Sequence, residues 1–148
     1  MAPRFVFDLL GILEKSLSQL QGKGYGSTSV AAEIHGIQKL LGKTDIKTCV
    51  DIGGNVGNYT AELNTRFPNA DIFTFEPSQT NIAKLQTRFA ALEQIRILPF
   101  AVSDFQGDAV LHSDVPGSGM SSLSKRDLDH IGLDFDTRED IKTIVMLS

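Results

Sequence analysis

Hydrophobic and polar positions follow two different rhythms along this chain. Over 5–21 and again over 29–41, apolar side chains recur about every three to four residues, which predicts two helices separated by a glycine-rich break. Both patterns precede the first strand-like run. Residues 1–45 are therefore predicted to form an N-terminal helical segment.

From residue 46 onward, short apolar runs alternate with helical patterns. Strands are predicted at 48–52, 71–75 and 95–102, and helices at 57–67 and 78–92. Strands that alternate with helices indicate βαβ units and a parallel sheet. The predicted fold class is α/β, a Rossmann-like and mostly parallel sheet with flanking helices, and residues 46–148 are predicted to form its domain.

The pattern loosens in the last third of the chain. Residues 107–112 predict a short strand or hairpin, and residues 141–147 predict one more strand. Glycine and serine make 116–122 a loop by composition. The segment 124–139 is polar, with weak periodicity.

Composition and charge narrow the class of partner. The chain has 148 residues and a net charge of −4 without a basic run, which argues against a nucleic-acid partner or an anionic membrane surface. No apolar run approaches the roughly 20 residues of a membrane span.

The single cysteine, Cys49, lies in a strand pattern and is predicted to be a buried core residue. The lack of a cysteine framework favours a reducing compartment, so we expect a cytoplasmic protein.

A glycine-rich turn follows the first predicted strand and opens a helix. Its pattern is Asp51-x-Gly53-x-Asn55-x-Gly57. Glycine permits tight turning and a close approach of the backbone to a ligand, and asparagine tolerates left-handed geometry. A dinucleotide fingerprint starting at Gly53 would need glycines where Asn55 and Asn58 stand, which disfavours a nicotinamide-dependent oxidoreductase.

Three acids stand at or near predicted strand ends. In a parallel α/β sheet these ends open onto the ligand crevice. Glu76 is placed to accept both ribose hydroxyls, with a solvated acid near a helix start as the alternative. Asp104 is placed to accept from an adenine amino group, with a simple turn residue as an equal alternative. Together with Asp51 these acids favour S-adenosylmethionine, which carries positive charge and no phosphate.

The sequence does not identify a general base or a metal site. His35, His112 and His130 are candidate bases by residue type, but a structural or surface histidine is the favoured interpretation of each. The acidic run within 127–140 does not match a calcium loop, and we interpret it as a solvated face. No metal is predicted.

Several of these blocks together resemble the FkbM family of S-adenosylmethionine-dependent methyltransferases. They are Val50–Thr60, Phe75–Pro77, Ala101–Asp104 with Gly107, and more weakly Ser121–Leu123. The resemblance implies a class I, Rossmann-like methyltransferase fold and O-methylation of a hydroxyl on a sugar, glycolipid or natural product. The predicted cofactor-binding residues are Asp51, Gly53, Gly54, Asn55, Gly57, Asn58, Glu76, Pro77, Ser103 and Asp104.

The chain departs from the family after the last predicted strand. Family members continue into a strand with a Lys-x-Asp-x-Glu-Gly type motif, which has no counterpart here, so we expect an incomplete class I fold. Two interpretations stay open: a methyltransferase acting on a small-molecule or glycan acceptor, and a non-catalytic adenosine-binding fragment or partner-dependent subunit. An unpaired sheet edge would also be a template for a homodimer.

Overall fold

A computed structural model describes residues 30–126 and 134–146 of the chain. The chain divides between Leu40 and Leu41 into two units, and each is described by itself. The helix predicted over 5–21 lies outside the described residues.

The first described element is helix α1, Val30–Leu41. This confirms the helix predicted over 29–41. The chain leaves it at Gly42, whose φ of 61° lies in the left-handed region that favours glycine. Just beyond, the backbone N–H and the hydroxyl of Thr44 both donate to the carbonyl oxygen of Leu41, at 3.2 and 2.7 Å. These bonds satisfy a carbonyl that the end of the helix leaves without a partner.

The described residues of the second unit form two helices and six strands. In chain order these are β1 (Thr48–Ile52), α2 (Asn58–Arg66), β2 (Asp71–Phe75), α3 (Gln79–Arg88), β3 (Ile95–Leu98), β4 (Ala101–Val102), β5 (Gly107–Ser113) and β6 (Thr137–Ile144). Helix α2 matches its prediction within one residue at each end. Helix α3 ends four residues before the predicted 92, because the chain after Phe89 turns and bonds the N–H of Leu92 back to the Phe89 carbonyl.

Strands β1, β2 and β3 form a parallel sheet in that order. Thr48 pairs with Asp71 and Ile72 pairs with Ile95, so the three strands run in register toward the same edge. Their buried faces join a core with the helices, made of Cys49, Ala70, Ile72, Leu85, Phe89 and Ile95. The alternation of strands and helices and the parallel pairing confirm the predicted Rossmann-like α/β class. Cys49 is buried, as predicted.

The prediction of one third strand over 95–102 is wrong. Strand β3 ends at Leu98, because Pro99 lacks the N–H that a continuing ladder needs. The N–H of Phe100 bonds back to the Leu98 carbonyl at 2.9 Å. The chain then resumes as β4 in a second sheet, where Ala101 pairs with Thr143.

The second sheet has the order β4-β6-β5. Strand β6 runs parallel to β4 and antiparallel to β5, which confirms a strand or hairpin near 107–112 and a further strand near 141–147. Strand β6 begins at Thr137, four residues before the predicted Ile141. The added residues are polar and form no apolar run, but their side chains alternate between more buried and more exposed positions, as in a strand. Ile141 and Thr143 are buried, whereas Asp140 and Lys142 are exposed. This alternation suits a half-buried antiparallel strand.

Strand β1 has one neighbour among the described strands, which places it at an edge of the parallel sheet. Alternate residues of this strand face away from the core. Val50 is 44% exposed and Ile52 is 58% exposed. Within the described ranges, no helix is long and apolar enough to cross a membrane.

Candidate functional site

The glycine turn between β1 and α2 folds onto the end of β2. The N–H groups of Gly53 and Gly54 both donate to the carbonyl oxygen of Phe75, each at 2.9 Å. The N–H of Gly57 closes the turn by donating to the Gly54 carbonyl at 2.7 Å. The turn after β1 therefore lies beside the end of β2, at the edge where parallel α/β sheets bind ligands.

Glycine is required in this turn for two separate reasons. Gly53 and Gly57 have φ of 84° and 83°, in the left-handed region, and Asn55 reaches 48° there as a non-glycine residue. A Cβ at Gly54 would lie 2.3 Å from Thr74 Cγ2. A Cβ at Gly57 would lie 2.7 Å from Leu85 Cδ2. The turn is thus pressed against β2 on one side and α3 on the other.

The Glu76 carboxylate lies at the centre of the site. Its Oε2 accepts from the N–H of Asn55 at 2.7 Å, and its Oε1 accepts from the N–H of Ser78 at 3.0 Å. The side chain is 5% exposed, and its own N–H bonds to the Leu98 carbonyl at 3.1 Å. One buried carboxylate therefore ties the glycine turn to the start of α3. Each oxygen keeps further acceptor capacity, since a carboxylate oxygen has two lone pairs.

The Asp51 carboxylate lies on the buried side of β1. Its Oδ2 accepts from the Thr60 hydroxyl at 2.6 Å, and Thr60 Oγ1 lies 2.9 Å from Thr74 Oγ1. Both threonines are fully buried. This chain of side chains fastens the first turn of α2 to β1 and β2. The role of Asp51 toward a cofactor stays a prediction.

The far end of the turn is held from α3. One guanidinium nitrogen of Arg88 donates to the Val56 carbonyl at 2.6 Å and to the Asn58 side-chain oxygen at 3.0 Å. Asn58 is the first residue of α2, and its contact with a cofactor stays a prediction. Its side chain is engaged with Arg88, and this contact fixes the direction in which α2 leaves the turn.

The remaining predicted residues lie beyond the turn. Pro77 lines a cavity of about 360 Å³ between the segment after β2 and the second sheet, together with Gln79, Pro99, Phe100, Asp108, Asp140, Ile141 and Lys142. Ser103 and Asp104 follow β4 rather than β3, and the Ser103 hydroxyl donates to Asp104 Oδ1 at 3.1 Å. Asp104 is exposed. A contact of either residue with adenine stays a prediction.

The sequence did not indicate that the serine- and glycine-rich loop reaches this site. We call residues 114–121 the strap. It leaves β5 and is closed at its base by a pair of backbone hydrogen bonds between His112 and Ser122, at 2.8 and 2.9 Å. Composition predicted a loop here, but nothing in the local pattern showed which surface it would cover.

Four buried side-chain atoms in the described part of the chain have no hydrogen-bond partner. They are Asn55 Oδ1, Ser78 Oγ, His112 Nδ1 and Asp114 Oδ1. An unsatisfied buried polar atom costs about 1–3 kcal/mol, so such atoms are uncommon in a stable core. Asn55 lies in the glycine turn, Ser78 directly precedes α3, His112 lies on β5, and Asp114 is the first residue of the strap.

Two ionisable groups near the site have shifted pKa values. Burial raises the pKa of the Cys49 thiol, which keeps it protonated and unreactive in the core. A hydrogen bond from the Ser118 hydroxyl lowers the pKa of Asp114 below its ordinary value, with further help from backbone donors. Asp114 is thus held as a carboxylate in the strap.

The histidines differ in their surroundings. His35 is exposed on α1, and His112 is half-buried on β5 with the unpaired Nδ1 noted above. His130 lies outside the described residues. In 30–126 and 134–146, no group of three or more His, Cys, Asp or Glu side chains is close enough to hold a metal ion.

The strand order and the site together define an α/β domain of the Rossmann-like class with a glycine turn and a buried acid at adjacent strand ends. No family model and no curated protein matches the chain. Among solved structures, it is similar to the crystal structure of Methyltransferase FkbM from Methylobacillus flagellatus KT, with 20% identity and a TM-score of 0.41. The match covers 48% of this chain and 21% of that one. The class follows from the chain's own geometry, independently of that likeness.

Proposed function

We propose that this chain forms the cofactor-binding part of an S-adenosylmethionine-dependent methyltransferase that acts on a hydroxyl of a sugar, glycolipid or natural product. One observation carries the proposal. The buried carboxylate of Glu76, at the end of β2, accepts a hydrogen bond from the N–H of Asn55 in the glycine turn. This bond holds the carboxylate beside backbone that has no side chains at Gly53 and Gly54, which supports a role for Glu76 as the acceptor of ribose hydroxyls.

The chemistry of the site suits this cofactor. S-adenosylmethionine carries a sulfonium and an ammonium group and no phosphate, so it gains from nearby carboxylates such as Asp51 and Glu76. A pyrophosphate would be repelled by the same two groups. The unpaired Asn55 Oδ1 and Ser78 Oγ add polar capacity for hydroxyl or amino groups of a ligand. The residues present therefore fit the cofactor.

The cofactor and the protein would make different contributions to methyl transfer. The cofactor supplies an electrophilic methyl group, and the protein contributes mainly by holding donor and acceptor in line. Glu76 would hold the ribose through the lone pairs that its two backbone bonds leave free. Asp51 would add negative charge near the cationic end of the cofactor. The rigid mounting of both carboxylates, on Thr60 and on two backbone N–H groups, supports such positioning.

Calorimetric titration with S-adenosylhomocysteine tests this proposal. We expect the wild-type chain to bind it and Glu76→Ala to weaken binding about ten-fold to a thousand-fold, since a charged acceptor contributes about 1.5–3 kcal/mol and more where it is buried. Glu93→Ala is the matched control, because it removes an exposed carboxylate outside the site and should leave the affinity unchanged. Circular dichroism verifies that each variant is folded.

Titration with NAD in parallel addresses the oxidoreductase alternative. We expect no heat of binding with the dinucleotide, since Asn55 and Asn58 replace two glycines of its fingerprint. A folded wild-type chain that binds NAD, or that leaves S-adenosylhomocysteine unbound at millimolar concentration, would contradict the proposal.

A further inference from the structure

The strap lies directly on the glycine turn and on the start of α3. A Cβ built on Gly119 would lie 2.9 Å from Asn55 Nδ2, and one built on Gly117 would lie 2.7 Å from Asn81 Oδ1. Both separations are shorter than ordinary van der Waals contact. The strap backbone therefore approaches both neighbours so closely that a side chain at either position would displace one of them.

Hydrogen bonds within the strap give it a defined shape. Its centre is Ser118, whose N–H donates to the Val115 carbonyl at 3.1 Å and whose hydroxyl accepts from the N–H of Met120 at 3.1 Å. The Ser121 hydroxyl donates to the Ser118 carbonyl at 2.8 Å. The Thr137 hydroxyl from β6 donates to the Asp114 carbonyl at 3.1 Å. The strap is thus a folded element anchored at its base, and it approaches the turn as a unit.

Polar groups that can form further hydrogen bonds lie in the segments that the strap touches. Ser78 is 1% exposed and Glu76 is 5% exposed, so these two residues are closed off from water. Asn55 Oδ1 and Ser78 Oγ are buried there without partners. Enclosure of unsatisfied polar atoms is costly in a core that serves stability alone, and it is expected where a ligand completes the hydrogen bonding.

We propose that the strap is the roof of the cofactor site and that Gly119 is the positioning residue that sets its clearance above Asn55. This inference rests on the proposed function and adds to it a wall that comes from the second sheet. The strap moves aside to admit the nucleoside and returns to cover it. Absence of a side chain at position 119 lets the strap settle close to the turn with the ligand in place.

The variant Gly119→Ala tests the roof directly. The φ of Gly119 does not lie in the left-handed region, so alanine is compatible with the backbone there and the variant is expected to fold. The added methyl group keeps the strap away from Asn55, and we expect the affinity for S-adenosylhomocysteine to fall about ten-fold. Gly36→Ala is the matched control, because a Cβ there meets nothing within 4 Å and binding should be unchanged.

Hydrogen exchange provides a second readout on the unmodified chain. The amides of Ser118 and Met120 are bonded within the strap, and we expect their exchange to slow when S-adenosylhomocysteine is added. Amides of α2 outside the turn, such as that of Thr65, serve as an internal reference. Exchange at Ser118 and Met120 that is the same with and without bound ligand would overturn the roof.

A mutant cycle measured without ligand tests the contact itself. Asn55→Gly removes the side chain and suits the positive φ at that position. If Gly119 packs on Asn55, Gly119→Ala lowers the unfolding midpoint in the wild-type background and lowers it less in the Asn55→Gly background. Equal shifts in both backgrounds would overturn the contact.

The results separate the two proposals. Wild-type binding that Gly119→Ala leaves unchanged overturns the roof and leaves the cofactor proposal intact. Absence of wild-type binding overturns both. Wild-type binding that is weakened by Gly119→Ala and by Glu76→Ala, but not by the two control variants, supports both.

Discussion

The backbone N–H of Asn55 donates to Glu76 Oε2 over 2.7 Å and joins two segments that lie 21 residues apart in the chain. Asn55 has a positive φ of 48°, a conformation that few residues other than glycine adopt. The carboxylate bond holds it there. The same bond therefore stabilises the turn and positions the acid that we expect to contact the cofactor.

Replacing Glu76 should consequently affect stability as well as binding. Glu76→Ala leaves the N–H groups of Asn55 and Ser78 without their acceptor, and we expect the free energy of unfolding to fall by about 2–4 kcal/mol. Urea unfolding measures this. The control Glu93→Ala should lie within about 0.5 kcal/mol of wild type. A Glu76→Ala chain as stable as wild type would show that the two backbone bonds contribute nothing.

A comparison of alanine substitutions at Gly53 and Gly57 separates the cost of backbone strain from the cost of side-chain crowding. Their φ values are nearly equal, but a Cβ at Gly53 meets nothing within 4 Å, whereas one at Gly57 meets Leu85 and Phe89 below 3 Å. Gly53→Ala should cost about 1–2 kcal/mol from strain, and Gly57→Ala about 1–3 kcal/mol more from overpacking. Thermal unfolding compares them. Equal losses would mean that the contacts with α3 can relax without cost.

The Ser118 hydroxyl should control how Asp114 responds to pH. Because the folded pKa of Asp114 is lowered, its stabilising effect is present above the unfolded pKa and is lost as the pH falls through the folded pKa. Ser118→Ala should raise that pKa toward its ordinary value and make unfolding at acid pH less steeply pH-dependent. Carboxyl NMR shifts measure the pKa. Ser124→Ala, an exposed serine nearby, should leave it unchanged.

The outer edge of β1 is expected to support self-association. An edge strand presents unpaired N–H and C=O groups, and Val50 and Ile52 add exposed apolar surface. We propose a second copy of this chain as the occupant of that edge. Val50→Lys should shift the chain toward monomer in multi-angle light scattering, whereas Val115→Lys, at an exposed residue of the strap, should not. A wild-type chain that is monomeric at assay concentrations would refute this.

The local pattern was sufficient to predict most elements of the domain. Apolar runs bounded by glycine or proline indicated β1 and β2, and helical periodicity indicated α1, α2 and α3, because burial of one face imposes a spacing that neighbours in the chain already display. The glycine turn was also evident, since positive φ at Gly53 and Gly57 demands a residue without a side chain. So was the presence of an acid at the end of β2.

Long-range packing decided the remainder. Whether the chain after Pro99 continued in the first sheet or joined β6 depended on partners more than 40 residues away, which no local pattern contains. The second bond to Glu76, the anchoring of Asp51 by Thr60 and the placement of the strap over Asn55 are likewise contacts between distant segments. The sequence by itself determined the chemical groups of the site and the turn that carries them. Tertiary structure alone decided which of those groups meet, because their distances depend on how separate elements pack.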